Sequence, residues 1–251
     1  MFQSPLNYRC SFYAMLDSMN VPSIARVAGL IGEAGRIQML ITLLSGNAHS
    51  ASELALAAGV SPQTASSHLA KLSSGGLIVS ERSGRQRLYR LQSGDVAAAI
   101  EALAALAQTS GAVAIPELRF ARTCYDHLAG MLSIALRNEL LRRDVLRQRE
   151  GAFLLTPGGE RFLRTLDIDA APLRAMRRSL ARKCLDWTER HHHVGGAVGA
   201  ALLSCFRNRK WLAPLRGTRA VRLTLEGERA FERVFGIHAR PLRSQSALGL
   251  P

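Results

Sequence analysis

The sequence predicts a mainly α fold with small β wings. It reads as a winged helix-turn-helix domain followed by a C-terminal α+β domain made of two winged-helix-like repeats. Three observations lead there. Residues 50–90, "SASELALAAGVSPQTASSHLAKLSSGGLIVSERSGRQRLYR", read as helix, tight turn, second helix and two-stranded wing. Helical apolar patterns flank that stretch on both sides. Beyond residue 116 the chain repeats itself at a spacing of 66 to 68 residues, His127 to His193 and Leu155 to Leu223.

The elements follow in order. Residues 1–20 form an irregular N-terminal extension. In 21–46, Ile24, Val27, Ala28 and Ile31 share one face, and Ile37, Leu40, Ile41 and Leu44 continue it. Gly32 and Gly35 divide this into two helices, with Ser23 as a cap for the first. Ser50 and Glu53 make a capping box, which satisfies two helix-end N–H groups reciprocally. Leu54, Ala57 and Ala58 are expected to face inward. Gly59 gives the turn, Ser61 the next N-cap, and Pro62 the first helical position. Ala65, Leu69 and Leu72 form the buried stripe of the second helix. "LIVSER" and "QRLYRL" alternate around Ser83-Gly84-Arg85, a hairpin signal. Residues 94–107 are an alanine-rich helix with Ile100, Leu103 and Leu106 along a small-residue face, a candidate dimer helix. A linker follows at 108–116.

The predicted domains are 21–110, the DNA-binding and dimerisation unit, and 117–238, an effector domain with repeat units 117–169 and 180–238. A flexible tail occupies 239–251. Each repeat reads as helix, basic linker, short strand "LT", turn and helix.

Charge agrees with a polyanionic partner. There are 33 Lys+Arg against 19 Asp+Glu, for a net charge of +14. Such a balance favours nucleic acid first and an anionic surface second. The charge is unevenly placed: residues 1–115 are net +2 and residues 116–251 net +12. Arginine clusters at 137–149, 174–183 and 207–210 are therefore candidates to extend a DNA footprint. Four cysteines in this length are not a disulfide scaffold, and no long apolar run suggests a membrane span. The expectation is a cytoplasmic protein with reduced thiols and no membrane partner.

The first turn of a helix-turn-helix recognition helix meets base edges. Gln63 and Thr64 are placed to do so. Ser61, Ser66, Ser67, His68 and Lys71 lie off the buried stripe and suit base or phosphate contacts. Arg82, Arg85 and Arg87 sit on the wing, where they can clamp the backbone or enter the minor groove.

These residues carry a resemblance. Residues 22–107, through "PSIARVAGLIGEAGRIQMLITLLSG" and the 50–90 stretch, resemble the ArsR/SmtB family of winged-helix repressors. The resemblance implies a homodimer joined through the first and last helices, and binding of double-stranded DNA at an inverted-repeat operator. It also implies release when an effector binds. The C-terminal part resembles longer members carrying "CYDHLAG" and "CLDWTER". Two departures matter. The family's thiolate pair after Glu-Leu is missing, since Ala55 and Ala57 follow Glu53-Leu54. The last helix has Asp95 but no histidine. Both usual metal sites are therefore absent, and the sequence assigns neither a metal nor a cofactor.

Sensing is then expected in the C-terminal half, with Cys124, Tyr125, His127, Cys184, Trp187 and His193 as effector-site candidates. Cys124 and His127, at i and i+3, can share a helix face, as zinc ligands do; packing or capping is the ordinary role of such residues, and a small-molecule or redox sensor and a metal site are the alternatives. Tyr125, Trp187 and Phe206 are candidates to line an apolar pocket. No catalytic residues are assigned, because no Walker loop, nucleophile elbow or paired-carboxylate motif occurs. The leading expectation is a homodimeric transcriptional repressor. An architectural DNA binder is the alternative, and a small-molecule-modifying enzyme a weaker one.

Overall fold

The computed structural model describes residues 20–84, 86–107, 116–216 and 218–247. Residues 1–19 of the N-terminal extension, Arg85, residues 108–115 of the linker, Gly217 and the last four residues lie outside them.

The N-terminal unit is built from α1 (Val21–Ile31), α2 (Ala34–Leu43), β1 (His49–Ser50), α3 (Ala51–Ala58), α4 (Pro62–Ser74), β2 (Ile78–Ser83), β3 (Gln86–Leu91) and α5 (Gly94–Ala107). The three strands form one sheet in the order β1-β3-β2. Asn20, rather than Ser23, caps α1: its side chain accepts the Ser23 N–H. The capping box on α3 is complete, and Gly59 closes that helix in the left-handed conformation. Ala55, not Ala57, joins Leu54 in the core of α3. On α4 the buried residues are Ala65, Leu69 and Leu72. They meet Met39, Leu40, Leu43, Leu54, Ile78 and Leu91 in one apolar cluster. Residues at i, i+4 and i+7 of one helix share a face, which makes this stripe continuous.

The C-terminal unit opens with α6 (Pro116–Phe120) and then uses the same series of elements twice. The first series is β4 (Arg122–Cys124), β5 (His127–Ala129), α7 (Met131–Arg142), β6 (Leu146–Gln148), β7 (Phe153–Leu155) and α8 (Pro157–Arg164). After α9 (Ala170–Ala175) comes the second: β8 (Arg182–Leu185), β9 (His192–Gly195), α10 (Gly196–Asn208), β10 (Leu212–Pro214), β11 (Val221–Leu223) and α11 (Leu225–Phe235). Corresponding details recur. Asp144 and Lys210 both adopt positive φ just after their helices. Thr156 and Thr224 cap α8 and α11 by accepting the Gly159 and Gly227 N–H groups.

Two parts of the repeat differ from the sequence reading. The supposed basic linkers contain strands, β6 and β10, each paired antiparallel with the "LT" strand that follows. A β-hairpin also stands ahead of the expected helix in each repeat. The tail differs as well. Residues Ala239–Ala247 form α12, which packs on α6 and α7 and buries Ala239 and Ser246. The C-terminal core is one cluster, in which Phe206, Trp211, Phe231 and Phe235 stack and tilt against one another. Among the described residues, no helix is long and apolar enough to cross a membrane.

Candidate DNA interface and a buried cysteine–histidine cluster

On α4, Gln63, Thr64, Ser66, Ser67 and Lys71 are exposed. Ser61 is the N-cap; its hydroxyl takes the Thr64 N–H and also meets the Thr64 hydroxyl at 2.9 Å. Ser66 returns its hydroxyl to the Pro62 carbonyl. Among the described residues, the side chains of Gln63, Ser67 and Lys71 make no such local hydrogen bond, which leaves them open to a partner. In the wing, Arg82 and Arg87 are directly opposed across β2 and β3. Like charges facing across a strand pair repel, an arrangement that a phosphate backbone relieves. Arg85 lies outside the described residues. His68 is a correction. Its ring is largely covered and lies 3.3 Å from Glu33, the N-cap of α2. It braces the helix from behind instead of reaching the exposed face.

The effector candidates fall into two groups. Cys124, His127, Cys184 and His193 come together, all at most 4% exposed. Strand pairing does this, not a helix face: Cys124 is directly opposite His127 on β4–β5, and Cys184 is opposite His193 on β8–β9. The hairpins meet so that the sulfurs are 3.8 Å apart and the two Nε2 atoms 3.1 Å apart. The four donor atoms all lie within 4.8 Å of one another. Gly195 leaves room for this, since a Cβ there would stand 3.2 Å from His127 Nε2.

Each histidine is backed by a carboxylate, and each carboxylate by an arginine. His127 Nδ1 is 3.2 Å from Asp126, which Arg178 holds with two N–H groups. His193 Nδ1 is 3.3 Å from Asp186, close but poorly aligned. Asp186 accepts from Arg122 at 3.0 Å and from the Thr188 hydroxyl and the Gly130 N–H. Burial opposes ionisation of Asp126, yet the His127 and Arg178 contacts bring it down to about 2. Asp186 is likewise held well below the usual carboxylate range despite its burial, chiefly by Arg122 and His193. Contact with Cys184 and burial push the Cys124 thiol far up. Burial would lower His193, but Asp186 and the Cys124 sulfur raise it to about 9.

The comparisons with known proteins bear on the helix-turn-helix as a domain. The family model described as "Helix-turn-helix domain" matches residues 37–81. The HTH-type transcriptional regulator YdfF of Bacillus subtilis (strain 168) is 40% identical over 218 residues, which is 84% of this chain and 96% of that relative. The chain belongs to the HTH-type transcriptional regulators. An alignment of that length runs well past the reading head, so the relative shares the C-terminal unit too. Two solved structures are similar over the N-terminal part. One is the homodimeric winged helix-turn-helix DNA-binding domain of Mb0332 from Mycobacterium bovis, a possible ArsR-family regulator. It is 30% identical with a TM-score of 0.33, over 44% of this chain and 92% of that one. The other is reduced HlyU from Vibrio cholerae N16961, 30% identical with a TM-score of 0.33, over 36% of this chain and 94% of that one.

In this regulator the remaining effector candidates part from the cluster. Trp187 packs under the Arg122 guanidinium, 4.7 Å from its ring centre. Phe206 is wholly buried among the core aromatics. Neither lines the groove beside Tyr125. Tyr125 instead sits in the turn between β4 and β5, donates its N–H to the Leu44 carbonyl, and packs on the N-terminal core. An open groove of about 350 Å³ lies beside it, lined by Gly46, Tyr125, Asp126, Leu203, Ser204 and Arg207.

Sequence reasoning missed the groups that join the two units. Glu101 on α5 is buried and paired with Arg219. Arg182 bonds Asp95 and the Gly94 carbonyl, and Arg190 bonds the Ala105 carbonyl. A glutamate standing alone within an alanine-rich helix was the available signal. The arginine clusters are mostly tied down: Arg142, Arg147, Arg174, Arg178, Arg182 and Arg209 each meet a carboxylate.

Proposed function

We propose that this regulator acts as a homodimeric repressor, released from an inverted-repeat operator when an effector engages its C-terminal unit. The observation that carries the reading is the seating of the Tyr125 turn on Leu44 and Gly46, directly behind the helix-turn-helix. Any ligand that shifts this turn or α5 changes how the reading heads are held. A coupling free energy of about 1–3 kcal/mol suffices for a 5- to 150-fold change in DNA affinity. The groove beside Tyr125 and Arg207 is the candidate entry for a small polar effector.

Dimerisation is supported by exposed apolar side chains on the two outer helices. Val21 and Ile24 on α1 are 64% and 50% exposed, and Leu106 on α5 is 70% exposed. Apolar faces of that kind are ordinarily covered by a partner. Seven of the eleven arginines in these clusters meet a carboxylate, which lessens what they can lend to tracking phosphates indiscriminately and favours a sequence reader over an architectural binder.

A footprint and shift assay on the promoter upstream of its own coding region tests the reading. The expected result is protection of a palindrome by a dimer. Binding of equal strength to all duplexes, or none at low salt, overturns it.

A further inference from the structure

We propose that Cys124, His127, Cys184 and His193 form a closed tetrahedral site for one zinc-like divalent ion, which joins the two C-terminal repeats. The inference goes beyond the regulatory reading and does not depend on it. Its carrier is the donor geometry. Around a zinc ion with Zn–S of about 2.3 Å and Zn–N of about 2.0–2.1 Å, tetrahedral angles put two sulfurs about 3.8 Å apart and two nitrogens about 3.3 Å apart. Here the separations are 3.8 Å between sulfurs and 3.1 Å between nitrogens.

The backing carboxylates point the same way. A histidine that gives its Nδ1 proton to a carboxylate turns a bare Nε2 lone pair outward, which is how zinc-binding histidines are oriented. His127 has Asp126 at hydrogen-bond distance from its Nδ1, and His193 has Asp186 at 3.3 Å from its Nδ1, though less well aligned. The two Nε2 atoms face each other at 3.1 Å beside the two sulfurs, so that one ion could take all four donors. The donor set is also selective. Two thiolates with two imidazoles in a tetrahedron suit zinc, whereas oxygen donors would suit magnesium or calcium. Four protein ligands at no more than 4% exposure leave no open position for a substrate, so the site is of the closed, structural kind.

The site lies outside the reading head. Each repeat supplies one cysteine and one histidine from directly paired strand positions. Neither hairpin can fill the coordination sphere alone. On binding, two thiol protons are released and two Zn–S and two Zn–N bonds form, with no change of oxidation state.

The test uses the full-length, reduced, chelator-stripped protein, titrated with Co²⁺. The expected result is one Co²⁺ per chain, with thiolate-to-cobalt charge transfer and intense tetrahedral d–d bands, discharged by one equivalent of Zn²⁺. Cys124→Ser and Cys184→Ser should lose the charge-transfer band, while Cys205→Ser keeps it. Should the first two fail to fold, differential alkylation of the wild type decides. Zn²⁺ should shield Cys124 and Cys184, EDTA should expose them, and Cys205 should not respond. A folded, reduced protein that takes up no Co²⁺ or Zn²⁺ overturns the proposal. So does a Cys124–Cys184 disulfide forming in a protein that binds neither ion when reduced, and so does an unchanged cobalt spectrum in the double cysteine variant.

Discussion

Glu101 on α5 and Arg219 on the loop between β10 and β11 form an ion pair across the junction of the two units. The glutamate is 1% exposed, and its second oxygen has no hydrogen-bond partner among the described residues, with Arg122 4.0 Å away. Removing one partner of a buried pair strands the other, at a cost of about 3–5 kcal/mol. Arg219→Ala should therefore destabilise the protein by about 3 kcal/mol. Replacing both partners by apolar residues should restore much of that, as read by chemical denaturation.

Gly46 closes the turn after α2 at a φ of +79°, and a Cβ there would run into the Tyr125 carbonyl. Gly46→Ala combines left-handed strain with a backbone collision. It should cost more than about 1–3 kcal/mol and should loosen the contact between the units. Hydrogen exchange at the Tyr125 N–H measures that second effect separately from global stability.

Gln63 and the Arg82–Arg87 pair should fail in different ways. Gln63→Ala should cost about 1–3 kcal/mol at the operator and relax preference at one base position. The double change Arg82→Ala and Arg87→Ala should weaken binding to all sequences. It should also reduce the slope of log affinity against log salt by about 2, one unit for each phosphate that an arginine no longer neutralises. Fluorescence anisotropy over a salt series distinguishes the two.

Ile24→Glu or Leu106→Glu places a charge on the exposed apolar face of an outer helix. Either should shift the protein to monomer in light scattering and lower operator affinity, while an isolated half-site is bound much as before.

The capping box of α3 carries a pH dependence. Glu53 is held below its usual pKa by the Ser50 N–H and hydroxyl. A depressed carboxylate contributes stability above its unfolded pKa, about 4.3, and loses it as pH falls through the folded value. Because Glu53 is mostly exposed, its contribution is a few tenths of a kcal/mol and is screened by salt. Glu53→Gln should therefore differ from wild type at pH 7 and converge with it near pH 3, as read by urea midpoints.

The reading head was legible because its signals are local. Ser50-x-x-Glu53, Ser61-Pro62, the i, i+4, i+7 spacing of Ala65, Leu69 and Leu72, and Ser83-Gly84 each act within a few residues, and the structure puts α3, α4 and the wing there. The repeat was visible too, but its hairpins were not. Strands of three or four residues buried on both faces, such as His127–Ala129, show no alternation. Cys124-x-x-His127 then fits a helix as well as a two-residue turn, and only the pairing of β4 with β5 distinguishes them. Meeting of residues 66 apart, as His127 and His193 do, is a property of packing that no short window contains. The tail was misread for a related reason. The sequence pattern there offers only a flexible tail, yet Ala239 and Ser246 are buried and their helix packs on α6 and α7.

The turn that links Cys124 to His127 has only two residues, Tyr125 and Asp126, and Tyr125 holds a left-handed φ of 60°. Such a turn has no slack. One of its residues grips the reading head through Leu44, and the other grips a histidine and Arg178. A displacement at the strand ends cannot be absorbed along the way. If the strand ends shift, the back of the helix-turn-helix should tilt with them, as a short stiff lever delivers motion at one end to a load at the other.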